Sequence, residues 1–84
     1  MTDPVGKRLF DAAENGRTSE VSSLLRDYPE INVNWANPGS HQWTPLHNAS
    51  FFGFVEVVKL LLVNPSINVN VKHKFGETPF YIWL

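Results

Sequence analysis

Three histidines are the side chains of this sequence best suited to chemistry near neutral pH, because imidazole transfers protons and binds transition metals. His41, His47 and His73 do not stand four positions apart in any combination. A helical zinc site requires that spacing, together with further ligands nearby. The chain contains no cysteine that would complete a ligand set. We therefore predict no metal site.

A hydrolase triad is the second chemistry to consider, since Ser40 precedes His41 and two carboxylates, Asp27 and Glu30, lie upstream. Nearness in sequence does not set the geometry of a triad, and the chain lacks the G-x-S-x-G turn that exposes a nucleophilic serine. The glycine-rich patterns that bind phosphate groups are absent from the sequence as well. We therefore predict no catalytic residues and no cofactor, and the chain is not expected to be an enzyme.

The composition indicates one small globular domain over residues 1–84. Of these 84 residues 43% are apolar and 18% are charged, which is ordinary for a folded chain. The formal net charge is −1 and the basic residues are scattered, which argues against a nucleic-acid partner. The apolar run at residues 60–63 is far too short for a membrane span, so no membrane partner is predicted. Without cysteines or an apolar leader, we expect an intracellular location, cytoplasmic or nuclear.

The clearest pattern in the sequence is an internal repeat. Residues 31–34 (INVN) recur at 67–70, and residues 44–46 (TPL) recur at 78–80 as TPF, at offsets of 36 and 34 residues. Apolar and small residues upstream also align between the two units. The aligned residues are Leu9, Ala12, Ala13, Gly16, Val21, Leu24 and Leu25 in the first unit, and Leu46, Ala49, Ser50, Gly53, Val57, Leu60 and Leu61 in the second.

Each unit is predicted to contain two short helices joined at a glycine. The i, i+3, i+4 spacing of the aligned apolar residues is typical of one helix face. Thr44 is expected to cap the first helix of the second unit, whereas Gly16 and Gly53 allow the left-handed turns that end the first helices. We predict helices over residues 4–15, 19–27, 45–52 and 55–63. The last of them is apolar on nearly every side and is predicted to be sandwiched between neighbours.

The two linkers, residues 30–43 and 66–77, contain proline, glycine and asparagine. Their INVN motifs alternate over only four residues, which is little support for strands. We therefore predict turns or protruding hairpin loops, with Trp35 packed beneath the first loop.

These residues resemble the ankyrin repeat, which includes Thr-Pro-Leu-His, a following Ala, a Gly and a Val-Val-x-Leu-Leu-like helix. The matching residues of the second unit are 44–47 (TPLH), Ala49, Gly53, 56–61 (EVVKLL) and 69–70 (VN). The resemblance implies an all-α helix-turn-helix solenoid with hairpin or β-turn loops between the helix pairs. It divides the chain into an N-terminal capping-type repeat (1–43), a full repeat (44–77) and a truncated third repeat (78–84). It also implies that His47 is a structural histidine, hydrogen-bonded to Thr44 and the neighbouring loop.

The resemblance further implies a non-catalytic module that binds another protein through a rigid groove of helix ends and hairpin tips. Phe51 and Phe52 take positions that vary in the family and face this groove, and aromatic side chains commonly dominate interface energies. An alternative is that the C-terminal segment covers one of the two rings. The candidate partner-binding residues are Trp43, Phe51, Phe52, Lys74, Phe75 and Glu77, with the two charged residues at the rim.

The C-terminal segment FYIWL supports a rival hypothesis, because the third repeat stops inside its first helix. Trp83 stands where the second unit has Ala49, a position that needs a small residue. The segment folds back over its own chain, packs against a second copy, or continues into a longer array of which this chain is a fragment. In the second case the protein is a structural self-assembly unit, a homodimer formed or exchanged through Phe80, Tyr81, Ile82, Trp83 and Leu84.

Overall fold

In the part of the chain that the structure describes, four α-helices lie in two consecutive pairs. The computed structural model describes residues 3–70 and 72–76. The helices are α1 (Pro4–Glu14), α2 (Thr18–Asp27), α3 (Pro45–Phe52) and α4 (Val55–Leu62), and a short 3-10 turn, Pro38–Ser40, lies in the loop between the pairs. The predicted all-α fold is confirmed, and within the described ranges the extended pairing is limited to an isolated bridge between Asn37 and Trp43.

The helix boundaries follow the capping residues of the sequence. Asp3 caps α1 by accepting a hydrogen bond from the backbone N–H of Gly6 at 2.9 Å. Thr44 caps α3 in a capping box: its Oγ1 accepts from the backbone N–H of His47 at 3.3 Å, and Nδ1 of His47 accepts from the backbone N–H of Thr44 at 3.1 Å. Both helices have proline in the first turn, where a missing N–H costs little. The predicted cap at Thr44 is confirmed.

A single core forms where the two helix pairs meet. Helix α1 packs on α3 and α2 packs on α4, so the second pair repeats the first. Three of the buried residues on α1 and α3 are alanines, Ala12, Ala13 and Ala49, whose small side chains let helices approach closely. The buried cluster consists of Leu9, Ala12, Ala13, Val21, Leu24, Val33, Leu46, Ala49, Val57, Val58 and Leu61.

Helix α4 is not sandwiched on all sides, so that prediction is wrong for the described part of the chain. Val57, Val58 and Leu61 are buried toward the core, but Val55, Leu62 and Val63 are exposed. Val55 and Leu62 stand seven residues apart and therefore share one helix face. None of the residues at 3–70 and 72–76 covers this face, where the exposed Lys59 lies between the two apolar side chains and pairs with Glu56. None of the described helices has the length and apolarity needed to cross a bilayer.

Asn34 joins the loop after α2 to the loop after α4. Its Nδ2 donates to the backbone carbonyl of Ser66 at 2.8 Å, and its Oδ1 accepts from the backbone N–H of Asn68 at 2.8 Å. The N–H and the C=O of one side-chain amide therefore both hydrogen-bond to residues more than 30 positions away in the sequence. The INVN motif thus holds the two units together through hydrogen bonds instead of strand pairing.

We expect Asn34→Ala to lower the free energy of unfolding by about 1–2 kcal/mol, because two hydrogen bonds are lost at one partly buried site. Asn70→Ala is the matched control, since it is the equivalent asparagine of the second unit, is exposed, and makes no side-chain hydrogen bond within the described ranges. It should change stability by less than about 0.5 kcal/mol. Urea unfolding followed by circular dichroism measures both, and equal effects would contradict the bridging role of Asn34.

Candidate functional site

The loop before α3 is a tight hairpin that places Trp43 beside the helix start. The backbone N–H of Asn37 donates to the carbonyl of Trp43 at 2.8 Å, and the N–H of Trp43 donates to the carbonyl of Ser40 at 3.0 Å. His41 and Gln42 have φ angles of 55° and 61°, which reverse the chain within the left-handed region. The predicted hairpin loop is therefore present, closed by the Asn37–Trp43 bridge.

The loop at residues 72–76, which we call the second hairpin, docks against the first hairpin loop. The backbone N–H of Lys74 donates to the carbonyl of His41 at 2.8 Å, which links the two loops directly. His73 is only 4% exposed, and its Nδ1 accepts from the backbone N–H of Phe75 at 2.9 Å. Gly76 closes the turn with a φ of 82° and an N–H bond to the carbonyl of His73 at 2.9 Å. This turn positions Phe75 at the loop tip.

Six rings form one continuous chain of contacts, which we call the aromatic strip. It runs from the second hairpin to the end of α3 and the start of α4. The ring centroids are separated by 5.7 Å from Phe75 to His73, 5.7 Å from His73 to Trp43, 5.2 Å from Trp43 to Phe51, 5.0 Å from Phe51 to Phe52 and 5.8 Å from Phe52 to Phe54. His73 and Trp43 are stacked nearly parallel at 5°, so the buried histidine connects Phe75 to the rest of the strip.

The strip has an accessible side. Phe51, Phe52 and Phe75 are 55%, 50% and 67% exposed, although each of them contacts another ring of the strip. Trp43 is half-buried between Phe51 and His73. Rings held by neighbouring rings lose less conformational freedom on binding than isolated side chains would. The geometry therefore offers a partly ordered apolar surface to solvent.

His47 has the structural role that the resemblance implies. Its ring is fully buried, and its Nδ1 lies 2.8 Å from the Oγ1 of Thr44 in addition to the capping-box bond. The ring also approaches Trp43 at 5.9 Å and His73 at 5.2 Å, which ties α3 to the second hairpin. His47 thus packs against Trp43 and His73 on the buried side of the aromatic strip and is not part of its accessible side.

The structure brings together four of the six candidate partner-binding residues as rings of the strip: Trp43, Phe51, Phe52 and Phe75. Lys74 lies in the same hairpin as Phe75 and is exposed. Glu77 and the self-association residues Phe80, Tyr81, Ile82, Trp83 and Leu84 lie outside the described residues. Their roles, and the binding role of the strip, stay predictions.

Two rings of the strip were missed from the sequence. Phe54 follows Gly53 directly, so the run of aromatics around that glycine was a usable signal. His73 gave no such signal, because its burial depends on the docking of one loop on the other. Trp35, in contrast, packs away from the strip, edge-on to Phe10 of α1 at 5.8 Å. Across residues 3–70 and 72–76, no three histidine or carboxylate side chains are grouped to hold a metal ion.

Comparison with known proteins agrees with the repeat architecture. Residues 7–82 match the family model described as "Ankyrin repeats (3 copies)". The chain is 36% identical over 74 residues to 2-5A-dependent ribonuclease of Mus musculus, which covers 88% of this chain and 10% of that protein. It is 36% identical over 70 residues to Alpha-latrotoxin-Lg1a of Latrodectus geometricus, covering 83% of this chain and 5% of that protein.

A viral relative matches a shorter part of the chain. Ankyrin repeat protein OPG189 of vaccinia virus (strain Copenhagen) is 42% identical over 50 residues, which are 60% of this chain and 9% of that protein. The chain therefore spans a tenth or less of the length of each of these three relatives.

Proposed function

Because this chain belongs to the ankyrin repeat family, whose repeats are generally non-catalytic protein–protein interaction modules, we propose that it binds a partner protein through the aromatic strip. Phe51 and Phe52 at the end of α3 are the central anchors, and Trp43 and Phe75 extend the contact toward the hairpins. Lys74 lies at the rim.

The observation that carries this proposal is the exposure of rings that are already packed against one another. Phe51 and Phe52 each expose half or more of their surface, yet each is in contact with two rings of the strip. Large aromatic side chains supply most of the binding energy in many interfaces, especially where neighbours hold them in place. The capping box at Thr44 and the hairpin bridge position the strip before any partner arrives.

The test uses a phage-displayed library of random peptides selected against the wild-type chain. The best peptides are synthesised, and their affinities for wild type and for the double variant Phe51→Ala/Phe52→Ala are measured by calorimetry. We expect the double variant to bind at least tenfold more weakly, because it lacks two hot-spot side chains. Together these side chains should contribute about 1.4 kcal/mol or more to the binding free energy.

The matched control is the double variant Leu62→Ala/Val63→Ala, which truncates two exposed apolar side chains on α4. It should change affinity less than twofold. Light scattering of each variant detects any change in self-association, and circular dichroism verifies folding. Failure to select any peptide, or equal affinities for wild type and the Phe51→Ala/Phe52→Ala variant, would overturn the proposal.

A further inference from the structure

The charges at the hairpin end of the aromatic strip are one-sided in the described part of the chain, whereas Glu56 stands near the other end, two residues after Phe54, and pairs with Lys59. The first hairpin, residues 36–43, has no carboxylate, and residues 72–76 contain Lys72 and Lys74 and likewise no carboxylate. Both lysines are exposed. Even when Glu77 is counted from the sequence, the two lysines outnumber the carboxylates of residues 72–77. The hairpin end of the strip therefore has positive charge beside exposed aromatic rings.

Among residues 3–70 and 72–76, these lysines differ from most other basic residues in having no ion-pair partner. Four ion pairs occur within the described ranges, each between residues of one helix or its N-cap. They are Lys7–Asp11, Arg17–Glu20, Arg26–Asp27 and Lys59–Glu56. Lys72 and Lys74 take part in none of them. A charge that is not compensated within its own chain contributes more to the attraction of an oppositely charged partner.

We infer that the strip binds an acidic segment of the partner protein, one with aromatic or long aliphatic anchors and carboxylates beside them. This inference rests on the proposed function and names the class of partner. The apolar anchors pack on Phe51, Phe52 and Phe75, and the carboxylates lie near Lys72 and Lys74. Such charge complementarity speeds association and selects among apolar partners that the rings alone would not distinguish.

A single-stranded nucleic acid is the competing ligand for a surface of rings and lysines, because bases stack on aromatic side chains. The net charge of −1 opposes binding to a polyanion as a whole, and only two lysines flank the strip. An acidic peptide of moderate charge, with apolar side chains, fits the net charge of −1 and the two flanking lysines better than a nucleic acid does.

The test compares two synthetic peptides of equal length with the same leucine and phenylalanine anchors. One has glutamate and the other lysine at three of the remaining positions, and both have serine elsewhere. We expect the acidic peptide to bind at least tenfold more tightly than the basic one at low salt, and its affinity to fall several-fold when sodium chloride is raised to about 0.5 M. The variant Lys72→Glu/Lys74→Glu should weaken the acidic peptide roughly tenfold and improve the basic one.

The control variant Arg26→Glu/Lys59→Glu makes the same change in net charge on α2 and α4, away from the strip. It should alter the affinity of either peptide less than twofold. An equal loss in this control, or equal binding of both peptides by wild type, would overturn the inference. Tighter binding of an oligothymidine than of the acidic peptide would overturn it as well.

The same measurements separate the binding role of the aromatic strip from its preference for acidic partners. If both peptides bind equally and both are weakened by Phe51→Ala/Phe52→Ala, the aromatic strip is a binding surface without charge selection, and only the inference about acidic partners fails. If the acidic peptide binds but is unaffected by Phe51→Ala/Phe52→Ala, the binding site lies elsewhere and the proposed function fails together with the inference.

Discussion

Leu61→Ala is expected to lower the free energy of unfolding by about 2–5 kcal/mol, because it creates a cavity in a close-packed core. Leu61 is completely buried in the cluster where α4 meets the first helix pair. A domain of 84 residues has little stability in reserve, so a loss of this size should be visible as partial unfolding at room temperature. Urea titrations followed by circular dichroism measure the change.

Leu62 is a closely matched control for Leu61, since it is the next residue in the same helix and has the same side chain. It is 41% exposed, so truncation removes less buried surface and leaves no enclosed cavity. Leu62→Ala should therefore cost about 1 kcal/mol or less. Should Leu61→Ala unfold the chain entirely, Leu61→Val, with an expected cost of about 1 kcal/mol, gives the measurable comparison. Equal losses at positions 61 and 62 would show that the two side chains are buried to the same extent, against the assignment of Leu61 alone to the core.

Gly16→Ala is expected to destabilise the chain clearly more than Gly53→Ala, although both glycines end equivalent helices. Both have a left-handed backbone, with φ of 66° and 71°, so each alanine costs about 1–2 kcal/mol in strain. At Gly16 an added Cβ would lie 2.9 Å from a ring carbon of Phe54, whereas at Gly53 it would meet nothing within 4 Å. The overlap should add about 1–3 kcal/mol at Gly16 alone.

A double-mutant cycle tests the cause of that difference. In a Phe54→Ala background the ring is gone, so Gly16→Ala should cost no more than Gly53→Ala does in the wild type. Thermal or urea unfolding of the four proteins gives the coupling energy. If Gly16→Ala keeps its extra cost without the Phe54 ring, the contact between Gly16 and Phe54 is not its origin.

The helices could be predicted from the sequence to within about one residue, because their ends depend on local chemistry. The Thr-Pro pair at the start of α3 and the glycine after the helix determine backbone conformations directly, and no distant contact is needed to recognise them. The same holds for Asp3 and Pro4 at the start of α1. The burial of one side of α4 could not be predicted, because its apolar residues are spread around the helix and only the position of neighbouring elements decides which are covered.

The candidate site was predictable in part. Phe51 and Phe52 were recognisable from their position in the repeat, and their exposure agrees with consecutive residues pointing about 100° apart. The connection from Trp43 to Phe75 was not predictable, because it passes through His73. His73 is held there by contacts between distant residues: the backbone N–H of Lys74 bonds to the carbonyl of His41, 33 residues earlier, and the His73 ring lies 5.2 Å from that of His47.

The amide of Asn34 has a consequence for how a protein of this kind can change in length. Asn70 stands 36 residues later, and its backbone N–H bonds to Asn68 just as that of Asn34 bonds to Asn32. A duplicated unit inserted after Asn70 would find the same donor and acceptor for its own backbone. The number of units can therefore vary through duplication while the joint between units stays the same, and the row of helix pairs lengthens in steps of one repeat.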